Sequence, residues 1–470
     1  MKLVLPVLIS GLLAGCSLAP PMPDPGLNLP TSYKETKAAP RGEWKLAAPA
    51  DHVTRGAWWK IFRDPVLDGL AERASANNQN LRAALARLER TRALVQEAKA
   101  AQVPRIDLGA GASRVQMASV PGFNGFSENY GTLNIGLTAS YEVDLFGRIR
   151  DSVRAAQADL DAQKALLFSL LLSIQADVAE TYFIVRALDE DLAVLNRAVQ
   201  LRQEALQLLR ARAAAGQISD YELHSQIADL ETTRAEVQDT TRARAKYEHA
   251  LAILCGSAPA QFTLSPALPS HRLPEIPVDL PSTLLERRPD IAAAQRRMVA
   301  ANARIGVAKA AFYPVLNLSA NVGLQGDSID QLFKWGSRTW ALGPIAGPLL
   351  SLPIFEGGRN RANLAASAAD LEAEIATYRQ TVLSAFGEIE DGLSGLRTLT
   401  GQLNALQTAD TAAEQAYHIA LSRYTAGATG YLEVLDARRT LIALQRLMAQ
   451  AQGVRATTTV ALIRALGGGW

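Results

Sequence analysis

The residue whose type and setting most clearly indicate chemistry is Cys16. It ends the phrase Leu13-Ala14-Gly15-Cys16, which follows Lys2 and an apolar run from Leu3 to Leu13. This run is typical of a secretory signal, because a transmembrane helix needs roughly 20 apolar residues. The final phrase matches the bacterial lipobox, in which the cysteine thiol is acylated and becomes the mature N-terminus. The sequence therefore predicts a lipid on Cys16. The alternative is an ordinary signal peptide with an incidental cysteine.

Other side chains offer little reactive chemistry. The second cysteine, Cys255, has no intramolecular partner if Cys16 carries lipid, and its place at the end of a helix predicts a buried structural thiol. The five histidines show no metal-ligand spacing, and the glycines at 467–469 precede no helix that could bind phosphate. The charge is nearly balanced, with 48 basic and 46 acidic residues, which gives no reason to expect a nucleic acid partner. We therefore expect no enzyme, no metal and no cofactor beyond the covalent lipid.

The elements that carry the remaining candidates come from an internal repeat. Gly147-Arg148 recurs as Gly358-Arg359 and Ala215-Gly216 recurs as Ala426-Gly427, each 211 residues later (427 − 216). A constant offset between equivalent turns predicts two copies of one long unit. The predicted divisions are a signal peptide over 1–15, a flexible lipid-anchored tether over 16–56, a first repeat over 57–256, a proline-rich linker over 257–282 and a second repeat over 283–470.

Each copy is expected to be mostly helical. The stretch from Phe146 to Gly256 contains no proline, and its apolar residues follow a four-three spacing that indicates coiled-coil packing. Such a helical hairpin has too little apolar surface to form a globular core alone, so it needs neighbouring hairpins. The predicted hairpins run over 148–255 and 358–466, with turns at Gly216, Gly427 and Gly430.

Two strands are predicted in each copy. In the clearest, at about 131–145, apolar residues from Leu133 to Leu145 alternate with mostly polar ones from Thr132 to Asp144. This strand is long enough to cross a membrane, which takes about 9–11 tilted residues. The other strands are predicted at about 105–116, 315–325 and 339–354, and the last alternates poorly.

Four strands per chain bear directly on how a membrane could be crossed. In lipid, an open sheet edge leaves backbone groups unpaired at a cost of several kcal/mol each. The sheet must therefore close, yet about eight strands form the smallest barrel. If these strands span a membrane, several copies of the chain must share one barrel. The alternative is a small soluble β-domain inserted between the helices.

Several separate phrases together resemble one known family. They are the lipobox, Trp58-Trp59 with Phe62 and Asp64-Pro65, Asp144-Leu145-Phe146-Gly147-Arg148, Arg287-Arg288-Pro289-Asp290-Ile291, Pro353-Ile354-Phe355, Leu435-Asp436-Ala437 and Ala465-Leu466-Gly467-Gly468-Gly469-Trp470. They cover essentially the whole mature chain in order and spacing. The chain resembles the outer-membrane factors of tripartite efflux pumps. It is most similar to the lipoprotein branch (NodT type, related to TolC and OprM) that serves RND-type pumps.

This resemblance implies a mainly α fold with membrane β structure. A duplicated unit would form a long α-helical coiled-coil barrel plus a transmembrane β-barrel, with four strands per chain and twelve in a homotrimer. The implied function is a passive exit duct for drugs and other toxic small molecules, and hence multidrug resistance. An inner-membrane RND-type transporter would deliver them through a periplasmic adaptor (membrane fusion) protein. Ser17, after the cysteine, resembles lipoproteins sorted to the outer membrane of Gram-negative bacteria, with the chain extending into the periplasm.

The resemblance also implies a gate at the periplasmic turns. The family's acidic constriction aligns with Glu433 and Asp436, and Glu222 is the internal-repeat equivalent of Glu433. Three copies would give rings of negative charge that constrict the pore and favour cations. Tyr424 resembles a family position that braces the closed state, and ordinary hairpin packing is the alternative.

Two of these carboxylates have a simpler alternative role, as caps of the helices that follow the turns. Ser219 and Glu222 have the spacing of a capping box, and Gly430 and Glu433 occupy the same offsets. Asp436 lies one turn deeper, where no cap needs it, and is the better gate candidate. Ala428-Thr429 stands where the family often has a polar or basic residue, so a detailed copy of its salt-bridge lock is not predicted.

Two other functions stay open at this point. One is a periplasmic coiled-coil structural or adaptor lipoprotein without a pore, which would not need a fourteen-residue alternating strand. The other is an export duct for polypeptides, which would be the same fold with another partner. The sequence does not name the substrate.

Overall fold

The computed structural model describes residues 17–27, 32–35, 56–116, 129–270, 273–274, 276, 286–343 and 349–468. The predicted signal peptide and Cys16 lie outside these residues. So do most of the predicted tether and part of the proline-rich linker.

The long elements of the two copies correspond, from the helix before the strands to the two helices of the hairpin. The helices are the 3-10 helix Trp58–Phe62, α1 (Pro65–Asn77), α2 (Gln79–Ala100), α3 (Arg148–Ala214), α4 (Asp220–Leu254), the 3-10 helix Pro259–Gln261, α5 (Pro289–Ala310), the short α6 (Ile329–Leu332), the 3-10 helix Trp335–Ser337, α7 (Arg359–Thr425) and α8 (Tyr431–Ala465). The strands are β1 (Arg105–Gln116), β2 (Asn129–Val143), β3 (Val315–Gly326), β4 (Arg338–Leu342) and β5 (Leu350–Ser351). Both α3 and α7 have 67 residues, and both α4 and α8 have 35. At 1.5 Å per residue, the two longest helices are about 100 Å each.

The chain divides into two compact units, and each unit takes segments from both repeats. Unit 1 comprises the described residues of Met1–Gly26, Arg87–Lys164 and Ala293–Arg379. Unit 2 comprises those of Leu27–Ala86, Ala165–Ala292 and Gln380–Trp470. Each repeat therefore contributes strands to unit 1 and most of a helical hairpin to unit 2. The repeat is a unit of sequence and not of compact structure.

Unit 1 contains one antiparallel sheet. Its strand order is β1-β2-β3-β4, and β5 pairs with the other end of β3. The single strand expected at about 339–354 is instead two short ones, β4 and β5, with residues 344–348 between them outside the described residues. Proline has no N–H for a ladder hydrogen bond, and Pro353 follows directly on Leu352 after β5.

The connection from β2 to α3 is built by the family phrase at 144–148. The Asp144 carboxylate accepts hydrogen bonds from the backbone N–H groups of Ile149 (3.2 Å) and Arg150 (2.9 Å) in the first turn of α3. Phe146 stacks on Tyr313, with ring centroids 4.6 Å apart. An acidic side chain at a helix N-terminus satisfies free N–H donors and complements the helix dipole. The phrase is thus a strand-to-helix connector.

The main core of unit 2 lies around the 3-10 helix 58–62. Trp58, Trp59 and Phe62 are buried there, and Phe62 packs on Phe183 of α3 with centroids 5.0 Å apart. Cys255 is fully buried in the same core, and burial raises the pKa of its thiol. The prediction of a buried structural thiol is therefore confirmed.

By length and composition, α3 is the one helix among the described residues that could cross a membrane. Its apolar residues Ile174, Val178 and Val185 are buried in the core of unit 2. This packing accounts for the apolar stretch without a membrane, so the strands are the elements to consider for a membrane span.

The N-terminal segment is not a free tether where it is described. In unit 2, Tyr33 is 3% exposed and packs against Phe386, with ring centroids 5.9 Å apart. The Glu390 carboxylate accepts hydrogen bonds from the backbone N–H groups of Lys34 (2.7 Å) and Glu35 (3.0 Å). In unit 1, residues 17–26 are also held, by hydrogen bonds with α3, α5 and α7. The prediction of a flexible tether over 16–56 is therefore wrong for the described residues, because its proline-rich composition does not reveal these long-range bonds.

Candidate channel wall and gate

The sheet of unit 1 has one largely apolar face, on which Arg114 of β1 and Arg338 of β4 also lie. Leu108 lies opposite Leu137, Leu137 opposite Val322, and Val322 opposite Trp340. Since directly opposite residues of antiparallel strands share a face and alternate residues return to it, the face extends over four strands. It carries Ile106, Leu108, Ala110 and Ala112 of β1, Leu133, Ile135, Leu137, Ala139 and Tyr141 of β2, Leu316, Leu318, Ala320, Val322 and Leu324 of β3, and Trp340 and Leu342 of β4. Leu108 and Trp340 are 71% and 75% exposed, and an exposed apolar area of this extent marks a membrane or protein interface.

The opposite face is small and polar. Gly109, Gly136 and Gly323 lie directly opposite one another across three strands. The other members of this face are mostly uncharged, and include Asn134, Thr138, Ser140, Asn317, Ser319, Asn321 and Gln325. The alternation predicted for the second and third strands is therefore confirmed. A sheet with one apolar and one polar face can separate lipid from water.

A group of charges lies at the end of β2 that leads into α3. The Arg148 guanidinium binds the Glu142 carboxylate through two hydrogen bonds, at 2.8 and 2.6 Å. Near the start of β1, Arg105 Nε lies 2.9 Å from Asp107. A bidentate arginine–carboxylate pair is stronger than a hydrogen bond between neutral groups, and this one fixes β2 to the first residue of α3.

The two hairpin turns in unit 2 have the same backbone geometry. Gly216 and Gly427 have φ angles of +70° and +72°, a region that favours glycine. In the first turn the N–H of Gln217 donates to the Arg212 carbonyl, and in the second that of Ala428 donates to the Arg423 carbonyl. These are the bonds of a glycine-terminated helix end.

The structure places Glu433 in an ion pair within its own hairpin. Its carboxylate accepts a hydrogen bond from Arg423 Nη1 at 2.7 Å and a short one from the Thr429 hydroxyl. No side chain caps α8 at Gly430. Glu433 therefore holds the loop end of the hairpin together, and its charge is partly neutralised by Arg423.

Glu222 lies beside the second hairpin and not in an equivalent ion pair. Ser219 caps α4, since its hydroxyl accepts a hydrogen bond from the Glu222 backbone N–H at 3.4 Å. The return bond of a capping box, from Ser219 N–H to the Glu222 carboxylate, is not among the described hydrogen bonds. The carboxylate instead approaches Gly430, and a Cβ there would lie 3.9 Å from it.

Asp436 is exposed on α8, three residues after Glu433. Within the described ranges its carboxylate has no hydrogen-bond or ion-pair partner. Arg439, three residues further along α8, interacts with it electrostatically. Of the three candidate carboxylates, Asp436 is the one that is exposed without an ion pair among the described residues.

Tyr424 contacts both hairpins. Arg212, at the end of α3, donates a short hydrogen bond to the Tyr424 hydroxyl, and its guanidinium lies 5.0 Å from the ring centroid. On the other side, Tyr424 packs edge-on against Tyr431 with centroids 5.3 Å apart. A guanidinium over an aromatic ring is attractive in itself. Arg212 was not singled out from the sequence, although it is the repeat equivalent of Arg423.

A buried charge cluster centred on Asp229 was also missed. Asp229 of α4 pairs with Arg202 of α3 at 3.0 Å and with Arg439 of α8 at 2.6 Å. The Arg202 side chain is 8% exposed, and burial lowers its pKa. One signal was present in the sequence, because Arg202 interrupts the apolar series of the coiled coil. Its partners, however, lie on other helices.

A second link of the same kind lies further along the hairpins. Arg446 of α8 binds Asp191 of α3 at 2.8 Å and Glu236 of α4 at 2.9 Å. The second hairpin is thus tied to both helices of the first by arginines. Across the described part of the chain, no group of three or more His, Cys, Asp and Glu side chains is arranged to hold a metal ion.

Comparison with known proteins agrees with this architecture. A sequence model of the family described as outer membrane efflux protein matches residues 70–257 and 280–468. The chain is 34% identical over 473 residues to the toluene efflux pump outer membrane protein TtgF of Pseudomonas putida, covering 99% of this chain and 96% of that protein. Among solved structures, the outer-membrane channel OprN has a TM-score of 0.86 at 30% identity, covering 97% of this chain and all of OprN. The MtrE outer membrane channel of Neisseria gonorrhoeae has a TM-score of 0.82 at 30% identity, covering 97% and 98% of the two chains.

Proposed function

This chain belongs to the outer membrane efflux protein family and is an outer-membrane channel subunit of an efflux pump, and we propose that it works as a homotrimer. The observation that supports this proposal most directly is the sheet of unit 1, which has one apolar and one polar face. Its apolar face runs across four strands, yet β1 and β4 end the strand order without pairing to each other. In lipid those edges must be paired. Three copies would bring the strand number to about twelve, above the roughly eight that a barrel needs.

The proposed cargo is small toxic molecules, drugs and solvents among them. An inner-membrane RND-type transporter supplies the energy, and a periplasmic adaptor protein joins it to this duct. Support comes from relatives that are named as outer membrane proteins of efflux pumps, one of them for toluene. The duct conducts passively, so no catalytic step is assigned to the chain.

The proposed gate lies at the hairpin turns of unit 2. Asp436 is its principal charge, because it is exposed and forms no ion pair among the described residues, and three copies would form a negative ring that favours cations. Glu433 and Glu222 add charge near the turns, the first reduced by Arg423. Tyr424 braces the closed arrangement through Arg212, and the Asp229 cluster ties the second hairpin to the first.

Lipidation of Cys16 is part of the same proposal. The lipobox phrase supports it, and so does the family resemblance. A lipid there anchors the chain to the outer membrane in addition to the strands.

Planar-bilayer recording on purified protein tests the duct directly. The expected result is a cation-preferring conductance from a heat-labile trimer, with the preference reduced in Asp436→Asn. Glu231→Gln is the matched control, since Glu231 is an exposed carboxylate paired with Arg234 on α4. The proposal fails if the trimer shows no conductance even in the Asp436→Asn, Glu433→Gln double variant, as a periplasmic adaptor without a pore would.

The cargo class has its own test. Growth of a deletion strain is compared with the complemented strain on a panel of antibiotics, dyes, solvents and metals. Sensitivity confined to small molecules supports the proposal, whereas a secretion defect with unchanged sensitivity would indicate an export duct for polypeptides.

A further inference from the structure

Asp151, in the first turn of α3, is a buried carboxylate that binds the start of the mature chain. Its side chain is fully buried. The Ser17 hydroxyl donates to it, with Oγ 2.8 Å from Oδ1 and 2.9 Å from Oδ2. Arg154 Nη1 lies 2.8 Å from Asp151 Oδ1 and 3.0 Å from Ser17 Oγ. A buried charge is tolerated only with such partners, so Ser17 and Arg154 together satisfy Asp151.

Gly306 of α5 provides the space for this contact. A Cβ at Gly306 would overlap Asp151 Oδ2 and come within 2.9 Å of the Ala19 backbone nitrogen. The Ala19 N–H in turn donates to Ser17 Oγ at 3.2 Å. Residues 17–19 therefore lie in a site bounded by α3 and α5 that a larger residue at position 306 would fill.

The segment that follows is held along its length. Asn302 of α5 donates to the Pro20 carbonyl at 2.9 Å, and Arg379 of α7 donates to the Pro25 carbonyl at 2.6 Å. Prolines have no N–H, so the carbonyls are the backbone groups that the segment can offer there. We call residues 17–26 the N-terminal strap. The residues that bind it on α3, α5 and α7 belong, like the strap itself, to unit 1.

We propose that Asp151, Arg154 and Gly306 form a dock for the mature N-terminus, which fixes a lipid on Cys16 to the start of α3. The proposal rests on the lipidation of Cys16 that belongs to the proposed function. Consecutive Cα atoms are about 3.8 Å apart, so acyl chains on Cys16 begin one residue from the dock. Since only residues 144–147 separate β2 from α3, the lipid is held beside the strand ends. Its partner is the leaflet of the membrane that those ends contact.

Cysteine labelling tests the dock on the purified, acylated full chain. Ala19→Cys is introduced with Cys255→Ala, and its reaction rate with a maleimide is measured in detergent. Ser17→Ala is expected to speed labelling roughly tenfold, because it removes a hydrogen bond to a carboxylate. Ser17→Thr keeps the hydroxyl and should label near the parent rate. An unchanged rate in Ser17→Ala would overturn the dock, and this variant alters only the strap.

Two further variants exclude a general loosening of unit 1. Asp151→Asn should accelerate labelling as Ser17→Ala does. Asp159→Asn, on the same helix and paired with Arg304, should leave the rate unchanged. Equal acceleration by both Asn variants would overturn the specific role of Asp151.

The mass of the N-terminal peptide from the same samples reports acylation separately. An acylated Cys16 with a protected Ala19→Cys is the expected result. An unmodified Cys16 would overturn the proposed lipidation and the anchoring role. The label on Ala19→Cys, located by fragmentation of that peptide, would still decide whether the dock exists.

Discussion

The two hairpin tips are copies of each other, yet they hold their charges differently. Arg212 and Arg423 are repeat equivalents with the same backbone turn after them. Arg423 binds Glu433 inside its own hairpin, whereas Arg212 reaches across to Tyr424 of the other hairpin. The first hairpin also has a Ser219 cap where the second has Gly430. The duplication thus preserved the backbone and changed which side chains join the hairpins.

The largest expected effect comes from Asp229, whose repeat equivalent is Thr440 and which therefore has no counterpart in the second copy. Asp229→Ala leaves Arg202 buried without its partner and frees Arg439. Removing one partner of a buried pair costs about 3–5 kcal/mol. We expect a lower thermal midpoint and a several-fold higher bilayer conductance.

Asp239→Ala is the control for that change, because Asp239 is an exposed carboxylate paired with Arg242 on the same helix. Its effect should stay within about 0.5 kcal/mol. If the Asp229→Ala variant has the same thermal midpoint and bilayer conductance as the Asp239→Ala variant, the cluster does not join the hairpins.

The equivalent arginines allow a direct comparison. Arg212→Ala removes the link to Tyr424 between hairpins, at a cost of about 1–2 kcal/mol. Arg423→Ala breaks an exposed pair within one hairpin, worth about 0–1 kcal/mol. Single-channel recording should therefore show more frequent opening in Arg212→Ala. A larger effect from Arg423→Ala would reverse the assignment of the brace.

The difference in capping between α4 and α8 predicts a smaller effect on stability than the arginine substitutions. Ser219→Ala removes the hydroxyl that caps α4 and should cost about 1 kcal/mol. Gly430→Ser adds the missing cap to α8 and should stabilise that tip by a few tenths of a kcal/mol, since glycine is already tolerated at this position. Hydrogen exchange of the first turn of each helix measures both changes. Faster exchange at α8 in Gly430→Ser would contradict the capping role of a hydroxyl at this position.

The smallest expected effect is on the pH dependence of stability, and it comes from two carboxylates of α3. Burial raises the pKa of Asp177 and of Glu180 in α3, above ordinary values of 3.8 and 4.5, despite the nearby Arg464. Between the ordinary and the raised pKa the folded chain binds more protons than the unfolded chain. Stability should therefore fall as the pH rises through that window.

Thermal unfolding across acidic pH checks this sign. The Glu180→Gln variant should show a flatter dependence on pH than the parent. A steeper slope in Glu180→Gln would mean that its interaction with Arg464 outweighs burial.

Much of the fold could be predicted because it rests on local patterns. A constant offset in sequence predicts hairpins of equal length, and α3 and α7 indeed match residue for residue in length. Alternation along β2 predicts its two faces, since side chains on a strand point to opposite sides in turn. The interrupted fourth strand and the docked N-terminus could not be predicted in this way. Proline content shows which hydrogen bonds a segment cannot donate, but not which helix will bind its carbonyls.

By itself, the sequence determined the repeat, the turns, the two-faced strands and the family, because each is carried by the order and spacing of residue types along the chain. Only the tertiary structure decided the partners of the charges. Ser17 binds Asp151, 134 residues away, and Arg439 binds Asp229, 210 residues away. With 48 basic and 46 acidic side chains, the sequence is compatible with many different sets of ion pairs. Packing selects among them, because a buried charge is stable only beside the partner that the fold places within hydrogen-bond distance.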